Sequence, residues 1–439
     1  MNKSTYILLF ILLPLCTIGQ ELPQLSKEIA VAEALERNFG IVIARNQLAI
    51  ADANSSILNS RFLPILSATA GFNYSNEDQE VTFRNGEVNS VNGAETERYN
   101  AALNLNYTLF DGLGRWYDYK RFKEQYNLSE LQVRQTIETT LLQLFTVYYE
   151  VARLRENVSV LEQTYANTQD RLTRAQYQFD YGQVNKLEVL NAEVDLVTDS
   201  INLINGRQLL RNAKRDLTVV LNSELDREFT VDTAVNFINP IRMEEFYTAA
   251  PQNNVELLIA KSNIQVSDYS YKAAKSVFLP SLNLNGSYGW NEGQFPVTSF
   301  ATSSTSTGLS VGLSLNWNLF DGGTGITNVK TARILRDNQE LVEKQLEVET
   351  ARNLANARGN YQNSLEIYRL QRQNVLTAQD NYERSAERYK LGQISSVELR
   401  QAQINLLNSQ TNRNLAKYQA KLAELELLQL SGQILNVDF

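Results

Sequence analysis

The sequence contains no histidine, one cysteine and seven prolines in 439 residues. Without histidine, the commonest metal ligand and the commonest general base are both missing. A single cysteine, Cys16, forbids an intrachain disulfide. The 41 Lys and Arg against 49 Asp and Glu leave a net charge of −8 with no basic cluster. Nucleic-acid binding, which draws on cations that neutralise phosphates, is therefore not expected. The serines fall in strands or helix caps without a base beside them. No catalytic constellation, metal set or cofactor site emerges, and no enzyme is expected. Beyond the N-terminus, no segment approaches the ~20 apolar residues of a membrane helix.

The N-terminus reads as a secretory signal over residues 1–19: Lys3, an apolar core from Tyr6 to Leu13, and a small-residue exit at Thr17-Ile18-Gly19. Cleavage after Gly19 leaves Gln20 first. Lipidation at Cys16 is the alternative.

Two long proline-poor stretches dominate the rest of the chain. In the first, 115–222, apolar residues recur every seven positions: Leu144, Val151, Val158, Tyr165, Leu172 and Phe179. The second, 326–430, repeats the spacing with Leu354, Tyr361, Tyr368, Val375, Tyr382 and Tyr389. A sustained seven-residue spacing holds one seam against a neighbouring helix. Each stretch is interrupted by a glycine turn, Tyr181-Gly182-Gln183 and Leu391-Gly392-Gln393, and reads as a helical hairpin. The first arm alone would span ~100 Å as one helix.

The duplication extends further. A helix from Leu25 to Phe62, capped by Ser26 and stopped by Pro64, recurs from Met243 to Phe278 before Pro280. The copies align at an offset of 215–216, with Asn38 on Asn253 and Asp52 on Asp268. Each repeat then carries two strands, over 65–76 and 99–110 in the first and 281–291 and 309–320 in the second. One face carries residues such as Leu66, Phe72, Leu103, Leu284, Leu313 and Leu315. The other carries Ser67, Thr69, Asn104, Asn283 and Ser314, almost without charge. Strands of about ten residues cross a bilayer when tilted. Four cannot close a barrel and open edges are not tolerated in lipid, so the protein is expected to oligomerise. The loops Glu77 to Arg98 and Glu292 to Gly308 are expected to be polar and outside. Asp111-Gly112 and Asp321-Gly322 end the second strand of each repeat and read as strand–helix joints, the Asp capping and the Gly relieving crowding. Residues 223–242 separate the repeats 20–222 and 243–432. With the tail 433–439 they are expected to collar the rod.

This order of helix, Phe-Leu-Pro stop, strand pair, Leu-Phe-Asp-Gly joint, long helix, glycine turn and return helix, twice over, resembles the TolC family of outer-membrane efflux channels. The likeness covers about Leu25 to Gly432. It implies a mainly α fold with membrane β: duplicated coiled-coil hairpins making a periplasmic tunnel, under a homotrimeric twelve-strand barrel in outer-membrane lipid. It also implies a passive exit duct for efflux or type I secretion, coupled to an inner-membrane pump through a periplasmic adaptor protein. The glycine turns would then be the adaptor-docking tip. The periplasmic entrance would be lined by Glu188, Asn191, Tyr389, Glu398 and Gln401. Family members carry acidic residues six and nine positions after the second glycine; here these are Glu398 and Gln401, so one acidic ring is missing. The rival reading is an exported coiled-coil scaffold with no channel.

Overall fold

The computed structural model describes residues 23–437. The expected signal, its cleavage site, Cys16 and the terminal Phe439 lie outside the described residues. Elements run in the order β1 (Gln24–Leu25), α1 (Lys27–Arg37), α2 (Phe39–Ser55), β2 (Ile65–Thr82), β3 (Val88–Asp111), α3 (Gly114–Asp180), α4 (Lys186–Val220), β4 (Thr230–Val231), α5 (Pro240–Asn253), α6 (Val255–Ala274), β5 (Ser281–Gln294), β6 (Ser303–Asn316), α7 (Thr324–Lys390) and α8 (Ser396–Leu430). The two repeats share their helix lengths: α3 and α7 have 67 residues each, α4 and α8 have 35 each.

The helix expected over Leu25 to Phe62 is two helices, and so is its later copy. Asn38 and Asn254 leave helical geometry and cap the next helix with their Oδ1 atoms. A short polar side chain that competes for backbone N–H groups favours a break of this kind. The other end of each amide is spoken for across the repeat. Asn38 Nδ2 donates to Val220 O at 3.0 Å, and Asn254 Nδ2 donates to Leu430 O at 2.8 Å. Asn38 therefore corresponds to Asn254 rather than to Asn253. The last turns before Pro64 and Pro280 are 3-10.

Four strands form one antiparallel sheet in the order β2-β3-β5-β6. The strands differ in extent from the expected ten residues. β2 has 18, β3 has 24, and β5 and β6 have 14 each. Most of the expected loop from Glu77 to Arg98 is strand, closing in a tight turn around Gly86. Backbone pairing continues there although apolar alternation has stopped, and polar side chains help hold it: Tyr74 Oη donates to Glu95 at 3.0 Å and Gly93 N to Asp78 Oδ1 at 2.8 Å. β6 stops at Asn316 instead of Phe320: its partner β5 starts only at Ser281, after Pro280, which has no N–H to give. The rest of the expected second loop is also mostly strand, leaving Phe295 to Thr302 as the connection.

The core lies at mid-height of the rod. Tyr148, Tyr149 and Phe145 of α3, Leu217 of α4, Tyr361 of α7 and Leu425 of α8 are buried together. Leu25, Phe229, Val231 and Ile434 close over them from β1, β4 and the C-terminal segment, which places the inter-repeat segment against the rod's waist. Truncating one fully buried leucine here, such as Leu425, costs ~2–5 kcal/mol. Polar bonds fasten the waist as well. Glu424, fully buried, accepts from Ile238 N at 2.9 Å, Tyr361 Oη at 3.0 Å and Lys421 Nζ at 2.6 Å. Tyr361 is thus more than the packing residue its spacing implies.

Candidate functional site: sheet, joints and tips

The sheet keeps its expected faces. Leu309, Val311, Leu313 and Leu315 are each 65–73 % exposed, although they are large and apolar. Cross-strand pairs such as Leu66↔Leu105 and Leu284↔Leu313 set apolar residues side by side, and Asn283↔Ser314 does the same on the polar face. On that polar face, Asn104 donates to Thr69 Oγ1 at 3.2 Å and Thr108 donates to Asn283 Oδ1 at 2.8 Å. Aromatic rings gather near the outer part of the apolar face, where Phe72 and Tyr99 lie 4.8 Å apart. β2 and β6 are open edges.

Both joints use the aspartate as a cap. Asp111 Oδ2 accepts from Arg115 N at 3.0 Å; Asp321 accepts from Gly323 N at 3.0 Å and Gly325 N at 2.7 Å. Gly112 and Gly322 both have positive φ, 69° and 72°. Only Gly112 is crowded: a Cβ there would meet Ser276 O at 2.7 Å, whereas Gly322 faces open space.

At the far end of the rod, each 67-residue helix closes in the same way. The Gly182 N–H donates to Phe179 O and that of Gln183 to Gln178 O; the Gly392 N–H donates to Tyr389 O and that of Gln393 to Arg388 O. This pair of bonds around a left-handed glycine is the Schellman cap. φ is 71° at both glycines. Tyr181 and Leu391, at 79 % and 71 % exposure, stand free at the tips.

Past the turns, the candidate entrance residues separate. Glu398 is exposed and its carboxylate is engaged in a capping box, accepting from Ser395 N at 2.8 Å and Ser395 Oγ at 2.9 Å. Those two bonds, the backbone one first, hold its carboxyl below the usual glutamate range. Glu188 sits at the matching place in α4, under the Asn185 cap, and makes no such return bond to its cap. Burial raises the Tyr389 hydroxyl, and the charge of Glu188 adds to the rise. Gln401 donates to Asn405 on its own helix. Asn191 is half-buried.

Spacing gave no notice of the charged cluster that ties the two hairpins together below the tips. Arg400 of α8 grips Asp199 of α4 with two bonds, 2.7 and 2.8 Å, and Arg171 of α3 pairs with Asp195. Thr168 Oγ1 donates to Asp199, and Gln403 reaches Thr168 and the Thr164 carbonyl. The available signal was a charge beside each seam: Arg171 precedes Leu172, and Arg400 lies on the buried side of α8.

A sheet with one apolar face and one polar, nearly uncharged face, continued directly into helical hairpins whose 67-residue long arms span about 100 Å, defines the subunit of a membrane channel with an attached tunnel. The chain belongs to the outer membrane efflux protein family, whose pattern matches residues 30–223 and 246–433. It is 21 % identical over 401 residues to the outer membrane protein TolC of Vibrio cholerae, covering 90 % of this chain and 88 % of that one. The outer membrane efflux protein BepC of Brucella suis is 22 % identical over 410 residues, covering 92 % and 85 %. The fold is similar to the crystal structure of the Campylobacter jejuni CmeC outer membrane channel, with a TM-score of 0.76, 18 % identity, and 93 % and 86 % of the two chains covered. The protein is an outer-membrane channel component and not an enzyme.

Proposed function

We propose that three copies of this chain close a twelve-strand barrel in the outer membrane and a twelve-helix tunnel beneath it, forming the passive exit duct of a pump-driven export system. The observation that carries the reading is the four-stranded sheet, apolar on one face and open at both edges. Unpaired backbone groups in lipid cost several kcal/mol each, so such a sheet needs strands from other copies. The scaffold reading is disfavoured by the same sheet: in water, Leu309 to Leu315 would leave an apolar surface bare. Native mass spectrometry of the detergent-extracted protein is expected to show a trimer, and a stably inserted monomer contradicts the barrel.

Coupling to an inner-membrane pump runs through a periplasmic adaptor that docks at the two glycine turns. Support comes from their position at the far end of the rod, from Tyr181 and Leu391 standing exposed, and from the open space around Gly182 and Gly392. A side chain at Gly392 meets no neighbour within its own chain, so Gly392→Val costs roughly 1–2 kcal/mol of backbone strain. The trimer is expected to survive that change while export fails. Full export by Gly392→Val removes the tip from the docking reading. Glu188, Asn191, Tyr389, Glu398 and Gln401 line the entrance in this proposal, with Asp111-Gly112 and Asp321-Gly322 joining barrel to tunnel.

A further inference from the structure

The connection between β5 and β6 does not project away from the sheet; it folds back across it. Cross-strand partners share a face, and Asn73, Arg98 and Gly293 are partners on the polar side. Phe295 lies on that side. A Cβ built on Gly293 would strike the Phe295 ring at 2.6 Å, and the Arg98 guanidinium sits 5.8 Å from the ring centre. Further along, Thr298 is only 4 % exposed, and its hydroxyl donates to Gln79 Oε1 on β2 at 2.9 Å. Gln79 is two strands away from β5 in the sheet, so the segment crosses over β3 to reach it. Ala94 of β3, on the same polar face as Arg98, is 2 % exposed in a stretch of mostly open strand. The segment is itself turned, with Ser299 N donating to Pro296 O and Phe295 N to Thr302 O. Its apolar side chains are left over: Val297 is 75 % exposed and Phe300 fully exposed.

We infer that the segment from Phe295 to Thr302 is a constriction built across the outer mouth of the channel, which sets the size of what passes there. The inference rests on the barrel reading, in which the polar face is the lumen. Two separate anchors hold the segment inward, a ring packed on glycine and a buried hydroxyl bonded across the sheet. A loop meant only to cap a hairpin needs neither. Side chains with no polar atoms, Val297 and Phe300, then border the opening.

The test places a thiol below the segment with Ser287→Cys, on the polar face of β5. Cells producing the full chain are treated from outside with a small maleimide and with one carrying a large polyethylene glycol chain. Cells producing the unaltered chain serve as the control for other thiols. The small reagent is expected to label the new thiol and the large one to fail. Adding Phe295→Ala with Thr298→Val, or removing residues 296–301, is expected to admit the large reagent. Labelling by the large reagent with the segment intact overturns the constriction. Exclusion of the large reagent after both alterations overturns it as well, since something else then limits the mouth. A thiol that neither reagent reaches in any variant overturns the lumen assignment, and the inference falls with it.

Discussion

The two strand–helix joints carry the same four letters, Leu-Phe-Asp-Gly, yet they are built to different strengths. At the first, Arg115 closes a clamp: its side chain donates to Asp111 Oδ2 at 3.1 Å, Arg61 O at 2.7 Å and Thr108 O at 2.7 Å, and lies 5.2 Å from the Phe62 ring centre. Gly112 and Gly114 press against Ser276 of the other repeat. At the second joint the residue matching Arg115 is Gly325, and the aspartate cap works alone. Trp317, Leu319 and Phe320 are 54–84 % exposed there. The difference follows from position in the sheet. β3 is an inner strand with a neighbour on each side, so its exit can be braced within the chain. β6 is an edge. A duplicated sequence therefore gives one joint braced within its own chain and one left exposed at the sheet edge.

The helix ends at the waist show the same inequality, and they offer the strongest way to break it. Asn222 and Gly432 close α4 and α8 with positive φ, 49° and 66°. Only Gly432 is pressed: a Cβ there would lie 2.1 Å from Asn253 O, next to the Arg134 guanidinium that bonds both Asn253 O and Gly432 O. Gly432→Ala is expected to lose roughly 2–5 kcal/mol from strain and overpacking together. Asn222→Gly is expected to lose less than about 1 kcal/mol, the worth of its bond to Arg37 O. Thermal unfolding of the two variants decides; equal losses mean the waist is symmetric after all.

Arg115→Ala comes next. It leaves the Asp111 carboxylate only the backbone N–H of residue 115 and strands two carbonyls, at roughly 2–4 kcal/mol. Asp321→Ala removes a cap worth ~1 kcal/mol. Hydrogen exchange at the first turns of α3 and α7 reads each joint separately, and a larger opening in the Asp321 variant reverses the comparison.

The two faces of one strand give a smaller contrast. Leu313→Asp is expected to impair insertion, by on the order of 1–2 kcal/mol per copy, while Ser314→Asp is tolerated. The yield of heat-resistant assembled protein in membrane fractions checks this. Equal yields mean the faces are misassigned.

The smallest effect concerns acid. The Glu398 carboxyl is held below its ordinary value of about 4.5 by its bonds to Ser395. A lowered carboxyl lends stability above its unfolded pKa and loses it as pH falls through the folded one. The start of α8 should therefore loosen below about pH 4.5, and Glu398→Gln should remove that response. Exchange rates at the first turn of α8, followed against pH, report it. If Glu398→Gln leaves the pH response unchanged, the carboxylate is not its source.

Much of this architecture was legible because its signals are periodic. Seam residues from Leu144 to Phe179 and from Leu354 to Tyr389 are all buried or half-buried. Glycines at 182 and 392 mark turns because only a left-handed residue completes that cap. The unread parts were those where the signal is local or absent. Asn38 and Asn254 break helices through side-chain bonds to residues some 180 positions away, which no window reveals. The outer halves of β2 and β3 pair through backbone and polar side chains, such as Asp78 accepting from Gly93 N at 2.8 Å, so hydropathy falls silent over Glu77 to Thr96. Arg171, Asp195, Asp199 and Arg400 meet only because three helices, α3, α4 and α8, converge. Among the entrance candidates, Glu398 took a nearer partner in Ser395, a choice already written in the spacing of a capping box.

The unbroken helix α3 has a mechanical consequence. Its 67 residues run past a waist whose buried core centres near Tyr148, about halfway along. The return helix α4, with 35 residues, measures the tip side at ~50 Å, and what remains of α3 gives the barrel side nearly the same length. The helix is therefore a beam with equal arms about a central fulcrum. A sideways displacement imposed at one end arrives at the other reversed and undiminished, unless the beam bends or its end is pinned. Arg115 is the pin: it ties the upper end of α3 to the sheet, so motion begun at the tip must be absorbed as bending below the waist.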